Sequence, residues 1–267
     1  MDERSKRAQM ERKRRIRRKK QRRRVLISAL VEVLILAVLA LAFCWDRGLS
    51  AKVSGVLGIF DRPPATELDV SGVNSSNVLL MDVKSGKVIG NLNGEERIYP
   101  ASMTKIMTVI VAIENLDDLD QEITLTQEMF QELYEQDATQ AGFQPGETVR
   151  AIDLLYGAML PSGAECCIAL ADTVGGSRDG FVEMMNKKAA ALGCENTHFC
   201  NCNGLDEPDD HYSSARDVAK ISCALIKHSD VFKYTTTWMD TLRGGSFGLS
   251  NTNKLLKSYS GANGLKT

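Results

Sequence analysis

The chain has 267 residues, a formal net charge of −1 and a hydrophobic share of 43%. This length accommodates one large domain or two small ones with a buried core, and the composition excludes a disordered or fibrous chain. The charge is divided unevenly, because residues 1–24 contain 14 Lys/Arg and 3 Asp/Glu whereas acidic residues predominate in the remainder. A division of this kind indicates that the two parts lie in different places.

A transmembrane helix is predicted at residues 25–45, directly after the basic segment. Its apolar run carries one charged residue, Glu32, and about 20 apolar residues span a bilayer as a helix. Lys and Arg prefer the cytoplasmic side, so residues 1–24 are predicted to form a basic cytoplasmic tail of a protein that crosses the cell membrane once. The alternative is a cleaved secretion signal ending near Ala40-Leu41-Ala42. Nucleic-acid binding by the tail is not expected, because a membrane-spanning segment follows it at once.

The rest of the chain divides into a linker and a folded domain. Residues 46–72 contain Gly and Pro without a sustained hydrophobic period, which predicts an extracytoplasmic stalk. The folded domain is expected at residues 73–267. It begins with two predicted strands, at residues 77–83 and 87–90, joined by a turn at Ser85-Gly86.

The middle of this domain is predicted to be helical, from the spacing of its apolar residues and from its Ser, Thr, Gly and Pro boundaries. Helices are expected at about residues 102–114, from a cap at Thr148 to Leu160, at 164–174, at 181–192, and from a cap at Ser213 or Ser214 through Ile226. Beyond Asp230 the pattern weakens toward strands and turns.

Six of the seven cysteines lie in the predicted extracytoplasmic part, where disulfides are permitted but where the spacing identifies no pairs. The order Cys194, His198, Cys200 and Cys202 raises the question of a zinc site. Structural zinc sites usually pair their ligands as C-x2-C or H-x3-H, so the C-x-C spacing disfavours that interpretation. We therefore expect no metal.

The motif Ser102-Met103-Thr104-Lys105 opens the helix predicted after Pro100. Residues three apart share a helix face, so the Lys105 ammonium is expected beside the Ser102 hydroxyl. A serine becomes a nucleophile when a base lies within hydrogen-bond reach, and a lysine serves as that base if it is kept neutral. The partial positive charge of a helix N-terminus favours the neutral form. The motif alone is weak, because its spacing arises about once by chance in a chain of this length.

Two further motifs make the pattern specific. Pro161-Ser162-Gly163-Ala164 lies in a predicted loop, and Gly264-Leu265-Lys266-Thr267 follows about a hundred residues later. The order is similar to the S-x-x-K, S-x-N and K-T-G signature of penicillin-binding proteins and serine β-lactamases. Over roughly residues 73–267 the chain resembles the low-molecular-mass D-Ala-D-Ala carboxypeptidases, at Tyr99–Lys105, Pro145–Glu147, Leu154–Gly157, Leu160–Gly163, Asn196–Phe199, Gly204-Leu205, Tyr212–Asp217 and Asn251–Leu256.

This resemblance implies a serine peptidase that removes the terminal D-alanine from peptidoglycan stem peptides and that β-lactam antibiotics inhibit covalently. It implies Ser102 as the nucleophile that forms an acyl-enzyme, Lys105 as its general base and Ser162 as the proton relay to the leaving amine. The Ser102 N–H would be one oxyanion donor. No metal or other cofactor is implied. The implied fold is transpeptidase-like α/β (α+β), with a helical cluster packed on an antiparallel sheet.

The resemblance further implies that Lys266 and Thr267 bind the terminal carboxylate of the substrate, beside Gly163 and Ala164. Ala164 departs from the family pattern, because it occupies the usual Asn position; we consider Glu165 a partial substitute. The chain also ends inside the K-T-G motif. We expect the domain to be incomplete at this end, and the chain as given to be catalytically incompetent by itself.

Two other functions remain open. A serine β-lactamase shares the motifs, although the long stretch between Ser102 and Ser162 favours the carboxypeptidase. A pseudoenzyme that binds peptidoglycan without cleaving it is the non-enzymatic alternative, which Ala164 favours.

Overall fold

The computed structural model describes residues 68–205, 210–228, 235–243 and 246–267. These residues belong to one unit, Thr66–Thr267. The predicted basic tail and transmembrane helix, and nearly all of the predicted stalk, lie outside the described residues. Among the helices that are described, none is long and apolar enough to cross a membrane.

The domain begins with an antiparallel hairpin, which confirms the first two predicted strands. Strand β1 is Val78–Met81 and strand β2 is Val88–Leu92. The turn between them is held by the Asp82 carboxylate, which accepts a 2.8 Å hydrogen bond from the Ser85 N–H. Gly86 takes a φ of 69° there, a left-handed conformation that costs glycine little.

Helix α1, Thr104–Asn115, is the central helix and follows a short 3-10 turn at Ala101–Met103. Its residues from Thr104 to Ala112 are all buried. The sequence of this helix is rich in β-branched residues, which have a weak intrinsic helix propensity. Burial against the surrounding helices therefore provides its stability. The predicted helix at residues 102–114 is confirmed, with its start shifted into the 3-10 turn.

A second antiparallel hairpin, which the sequence did not predict, follows α1. Strand β3 is Glu122–Thr124 and pairs with strand β4, Thr148–Arg150. Helix α2, Glu128–Glu135, lies between them and was also not predicted. The expected helix cap at Thr148 is wrong, because the Thr148 hydroxyl lies 2.9 Å from the Thr124 hydroxyl across the hairpin. The following helix, α3, begins at Ala151 and ends at Met159.

Three longer helices confirm the predicted helical middle. Helix α4 is Ala164–Gly175, α5 is Arg178–Ala191 and α6 is Ala215–Ile226. Helix α5 starts three residues before its predicted start, because the Ser177 hydroxyl caps it by accepting the Gly180 N–H at 3.0 Å. Of the two candidate caps for α6, Ser214 is the one used, accepting the Asp217 N–H at 3.2 Å.

The C-terminal part contains a third hairpin, as the weaker pattern beyond Asp230 indicated. Strand β5 is Met239–Leu242, strand β6 is Phe247–Ser250, and the short helix α7 is Leu255–Ser258. The described strands thus pair as three two-stranded antiparallel sheets. Helices α1, α3, α4 and α5 pack together beside them around one hydrophobic core. The predicted mixed α/β content is confirmed.

Candidate active site

Ser102 lies in the 3-10 turn directly before α1, and two contacts fix that turn. Ile98, four residues earlier, exchanges backbone hydrogen bonds of 2.7 and 2.9 Å with Ser213. Gly204 packs directly on Ala101, so closely that a Cβ at Gly204 would lie 1.9 Å from the Ala101 carbonyl oxygen. Only a glycine fits at position 204, and this close approach places a buried loop beside Ser102.

Lys105 lies one helical turn after Ser102, as the S-x-x-K spacing predicts. Its Nζ is 3.1 Å from Ser102 Oγ and donates a 2.5 Å hydrogen bond to the Asn203 carbonyl oxygen. The side chain is buried, with 2% of its surface exposed. This burial lowers the pKa of Lys105, against smaller opposing effects of Cys167, Cys202, Cys166 and Glu165. The neutral amine, which can accept a proton from serine, is therefore favoured relative to an ordinary lysine.

Ser162 lies in the turn between α3 and α4, 60 residues after Ser102. Its hydroxyl donates a 3.0 Å hydrogen bond to Ser102 Oγ. Ser162 is buried and has a φ of 72°, a left-handed conformation that is uncommon for a residue other than glycine. Strained backbone of this kind persists where the surrounding structure fixes it, and it is frequent in active sites.

The loop at residues 201–205 contributes a group that the sequence did not reveal. The carbonyl of Asn203 accepts the hydrogen bond from Lys105, and the side-chain carbonyl of Asn201 accepts the N–H groups of Asn203 and Gly204 at 3.2 and 2.7 Å. Asn side chains that bond to the backbone two or three residues on stabilise turns. The spacing Asn201-x-Asn203-Gly204 is the signal that could have predicted this loop.

His211 is a second buried group that the sequence did not single out. Its Nδ1 accepts the Cys200 N–H at 3.1 Å, so its Nε2 carries the proton and donates to Thr104 Oγ1 at 2.7 Å. Burial lowers the pKa of His211 to about 4, and His198 adds a smaller effect in the same direction. The neutral imidazole thus anchors Thr104, the first residue of α1, next to the 3-10 turn that contains Ser102.

Lys266 is electrostatically close to Lys105. The pKa of Lys266 is lowered to about 8. Burial is the larger cause, and repulsion by the positive charge of Lys105 is the smaller one. Its neighbour Thr267 is hydrogen-bonded through its hydroxyl to Thr252. Thr252 in turn donates its N–H to the Leu160 carbonyl at 3.1 Å, at the end of α3. The segment that carries Lys266 is thereby tied to the turn that carries Ser162.

The predicted substrate-binding residues Gly163 and Ala164 form the start of α4. A Cβ at Gly163 would lie 2.7 Å from Ala141 Cβ and 2.9 Å from Glu165 Oε2, so this position has no room for a side chain. Ala164 is buried and supplies no polar side-chain atom. Glu165 is also buried and points toward the backbone of Ala141 and Gly142, so it does not take the place of the missing amide.

Among the candidate zinc ligands, Cys200 Sγ and His198 Nδ1 lie 3.7 Å apart. His198 Nδ1 lies 2.7 Å from the Asp210 carbonyl oxygen, and its backbone pairs with Tyr212. No group of three or more His, Cys, Asp or Glu side chains able to hold a metal occurs in the part of the chain that the structure describes. Cys166, Cys167, Cys194, Cys202 and Cys223 are free thiols.

The arrangement has the geometry that serine acyl transfer requires. A serine hydroxyl contacts a buried amine of lowered pKa and a second serine hydroxyl, which together satisfy the geometric requirement for an activated nucleophile. Residues 64–267 match the sequence model of the D-alanyl-D-alanine carboxypeptidase family. The chain belongs to this family.

Individual relatives agree with this assignment. The chain is 38% identical over 196 residues to D-alanyl-D-alanine carboxypeptidase DacF of Bacillus subtilis, covering 72% of this chain and 50% of that one. It is 35% identical over 235 residues to DacC of Escherichia coli, covering 83% and 57%. It thus spans about half the length of these curated relatives. The crystal structure of the Streptomyces K15 DD-transpeptidase superposes with a TM-score of 0.67 at 33% identity, covering 71% of this chain and 78% of that one.

Proposed function

We propose that the protein is a serine D-Ala-D-Ala carboxypeptidase that removes the terminal D-alanine from peptidoglycan stem peptides and forms a covalent adduct with penicillins. The observation that carries this proposal is the pair of hydrogen bonds joining Ser102 Oγ to Lys105 Nζ at 3.1 Å and to Ser162 Oγ at 3.0 Å. Both distances are within the reach expected of a serine and the groups that exchange protons with it.

In the acylation step, Ser102 Oγ attacks the carbonyl carbon between the two terminal D-alanines, and neutral Lys105 accepts its proton. The backbone N–H of Ser102 donates to the developing oxyanion. Breaking of the amide bond then needs a proton on the leaving nitrogen. Ser162, hydrogen-bonded to Ser102, relays that proton from Lys105 to the amine of the departing D-alanine. A water molecule completes the cycle by attacking the ester carbonyl, which releases the shortened peptide and restores Ser102.

Lys266 and Thr267 are proposed to bind the terminal carboxylate of the substrate. A protonated lysine is a suitable partner for a carboxylate, and the pKa of about 8 leaves Lys266 mostly charged at neutral pH. The ammonium groups of Lys266 and Lys105 would each disfavour a proton on the other. Gly163 lets the Ser162 turn pack closely against Ala141, and no metal or cofactor has a role in these steps.

For the whole protein we propose a basic cytoplasmic tail at residues 1–24, a transmembrane anchor at 25–45, a stalk at 46–72 and the catalytic domain at 73–267. This proposal rests on the apolar run and on the basic residues before it. The catalytic domain would lie outside the cell membrane, where peptidoglycan is found. Its helical cluster would pack on an antiparallel sheet, as in a transpeptidase-like fold.

The experiment is to incubate the full-length protein with a fluorescent penicillin and, separately, with a peptide ending in D-Ala-D-Ala, measuring adduct and free D-alanine. A carboxypeptidase forms a long-lived adduct and releases D-alanine. Rapid turnover of the penicillin would instead indicate a β-lactamase, and absence of both reactions would indicate the pseudoenzyme. Ser102→Ala is the control that shows whether either signal depends on the proposed nucleophile.

A further inference from the structure

Glu165 is a buried acidic residue for which the proposed mechanism has no use. It belongs to the first turn of α4, three residues after Ser162, and its side chain is fully buried. One oxygen, Oε1, accepts hydrogen bonds from the backbone N–H groups of Ala141 at 2.6 Å and Gly142 at 3.0 Å. The other, Oε2, is buried without a hydrogen-bond partner among the described residues. A buried polar atom left without a partner is costly, so its position calls for an explanation.

The Oε2 atom lies against the turn that carries the proposed proton relay. It is 2.9 Å from the place where a Cβ of Gly163 would be, next to Ser162. This turn is held in its left-handed conformation by successive contacts along the chain. Gly163 N–H donates to the Gly157 carbonyl at 2.8 Å, Ala164 N–H donates to the Thr139 carbonyl at 2.9 Å, and Glu165 then binds the same loop through its side chain.

The loop that Glu165 binds is supported on its other side by the third hairpin. The Phe143 and Phe247 rings stack with centroids 4.8 Å apart, and Arg243 joins Glu147 by two hydrogen bonds, the longer of them 3.1 Å. The loop around residues 139–147 is therefore a firm support rather than a free surface segment. A side chain that fastens the Ser162 turn to this loop fixes the position of the relay hydroxyl.

We propose that Glu165 is a positioning residue for acylation, whose buried carboxyl fastens the Ser162 turn to the loop at residues 139–142 and so keeps Ser162 Oγ within reach of Ser102. The proposal rests on the proposed function, because it assigns Glu165 to the same reaction.

Glu165 also has an electrostatic effect on the general base, which a purely structural link would not have. Burial, the largest effect, lowers the pKa of Lys105, and the negative charge of ionised Glu165 raises it. Burial also raises the pKa of Glu165 itself, against the hydrogen bonds from the backbone N–H groups of Gly142 and Ala141. Lys266 is the other charged group that interacts with Lys105, whose positive charge lowers the pKa of Lys266. Replacing Glu165 by glutamine keeps an acceptor for Ala141 and Gly142 but removes the charge. In Glu165→Gln, the acid limb of the acylation rate plotted against pH should therefore move to lower pH.

The test compares Glu165→Gln and Glu165→Met in the full-length protein, with the second-order rate of labelling by a fluorescent penicillin measured from acid to alkaline pH. Methionine keeps the length of the side chain, but its thioether sulfur is a much weaker hydrogen-bond acceptor than a carboxylate or an amide oxygen. We expect Glu165→Met to label roughly 10- to 100-fold more slowly, because small misplacements of reacting groups have effects of this size. Glutamine should lose far less, and its acid limb should lie at lower pH than that of the wild type.

The matched control is Asp172→Asn, a partly buried carboxylate on the same helix that contacts Arg178 away from the site. It should leave both the rate and the pH profile unchanged. The positioning role is overturned if folded Glu165→Met labels at the wild-type rate. If Glu165→Met does not fold, the test rests on Glu165→Gln. The proposal is then overturned if the acid limb of its labelling rate lies at the same pH as that of the wild type. A wild-type protein that does not label at all would instead refute the proposed function.

Discussion

The hydroxyl of Ser162 donates a 3.0 Å hydrogen bond to the hydroxyl of Ser102, across 60 residues of sequence. Two separate devices create this contact. The 3-10 turn before α1 presents Ser102, and a left-handed backbone at Ser162 aims the second hydroxyl at it. Lys105 approaches Ser102 from the same helix, so the three polar groups meet at one point where α1 and the start of α4 adjoin.

Replacing Lys105 by alanine should remove the base and slow acylation by roughly 10²–10⁴-fold, the usual contribution of a general base. The measurement is the second-order rate of labelling by a fluorescent penicillin. Lys188→Ala, which removes a surface lysine paired with Glu114 at 2.6 Å, is the control and should leave the rate unchanged. Labelling of Lys105→Ala at the wild-type rate would mean that another group takes the serine proton.

Substrate binding should weaken as pH rises through about 8. Lys266 binds a carboxylate only while it is protonated, and its pKa of about 8 means that the charge is present below this pH and lost above it. The alkaline limb of kcat/KM for a D-Ala-D-Ala peptide should therefore have its midpoint near 8, since kcat/KM reports groups of the free enzyme. Lys266→Arg keeps the charge at all accessible pH values and should move this limb upward. An alkaline limb unaffected by Lys266→Arg would contradict the assignment.

Introducing an amide at position 164 should raise the acylation rate. Ala164 supplies no polar side-chain atom at the position where the carboxypeptidase family usually has Asn. A neutral hydrogen bond contributes about 1 kcal/mol, which corresponds to somewhat under tenfold in rate. Ala164→Asn in the full-length protein should therefore label several-fold faster. Because Ala164 is buried, thermal melting must be compared as well. A folded Ala164→Asn variant with no gain would show that the site uses other contacts to bind its substrate.

The stability of the domain should fall when His211 is forced to bind a proton. Its pKa is about 4 in the folded protein and about 6.5 in an unfolded chain, so between these values the unfolded chain binds more protons. The contribution of neutral His211 is complete above pH 6.5 and is lost as the pH falls toward 4, by about 3 kcal/mol over the whole interval.

The free energy of unfolding, measured by urea titration at several pH values, tests this effect. His211→Gln should be less stable at pH 7 because it loses the fitted contacts to Thr104 and Cys200. Its stability should nevertheless depend less steeply on pH between 6.5 and 4 than that of the wild type. Equal slopes for His211→Gln and the wild type would contradict the account.

Hydrophobic periodicity was sufficient for the long helices but not for short elements. Helices α1 and α4 were predicted because their apolar residues recur over three turns and their ends carry Pro or Gly. Strands β3 and β4 have three residues each, too few for a period, and their pairing depends on a partner about 25 residues away. Thr148 was assigned to a cap because threonine is common both at helix starts and in strands.

Part of the candidate site could also be predicted from the sequence, and part could not. The contact among Ser102, Lys105 and Ser162 could be predicted because these residues stand in recognisable motifs. The hydrogen-bond acceptor for Lys105 was not predicted, because it is the backbone carbonyl of Asn203. Every residue has such a carbonyl, so the amino-acid type at position 203 does not indicate this role. Glu165 was considered as a substitute for the missing amide, but the orientation of its side chain could not be derived from the sequence. That direction depends on how the loop at Ala141 and Gly142 folds over the start of α4.

The most direct test of the account is to locate the penicillin adduct by mass spectrometry of the full-length protein. After incubation with benzylpenicillin, the intact mass should rise by one antibiotic molecule per chain, and peptide mapping should place the added mass on Ser102. Ser102→Ala, with the same melting temperature, should show no increase. An adduct on a different residue, or an adduct that persists in Ser102→Ala, would contradict the central claim that Ser102 is the nucleophile.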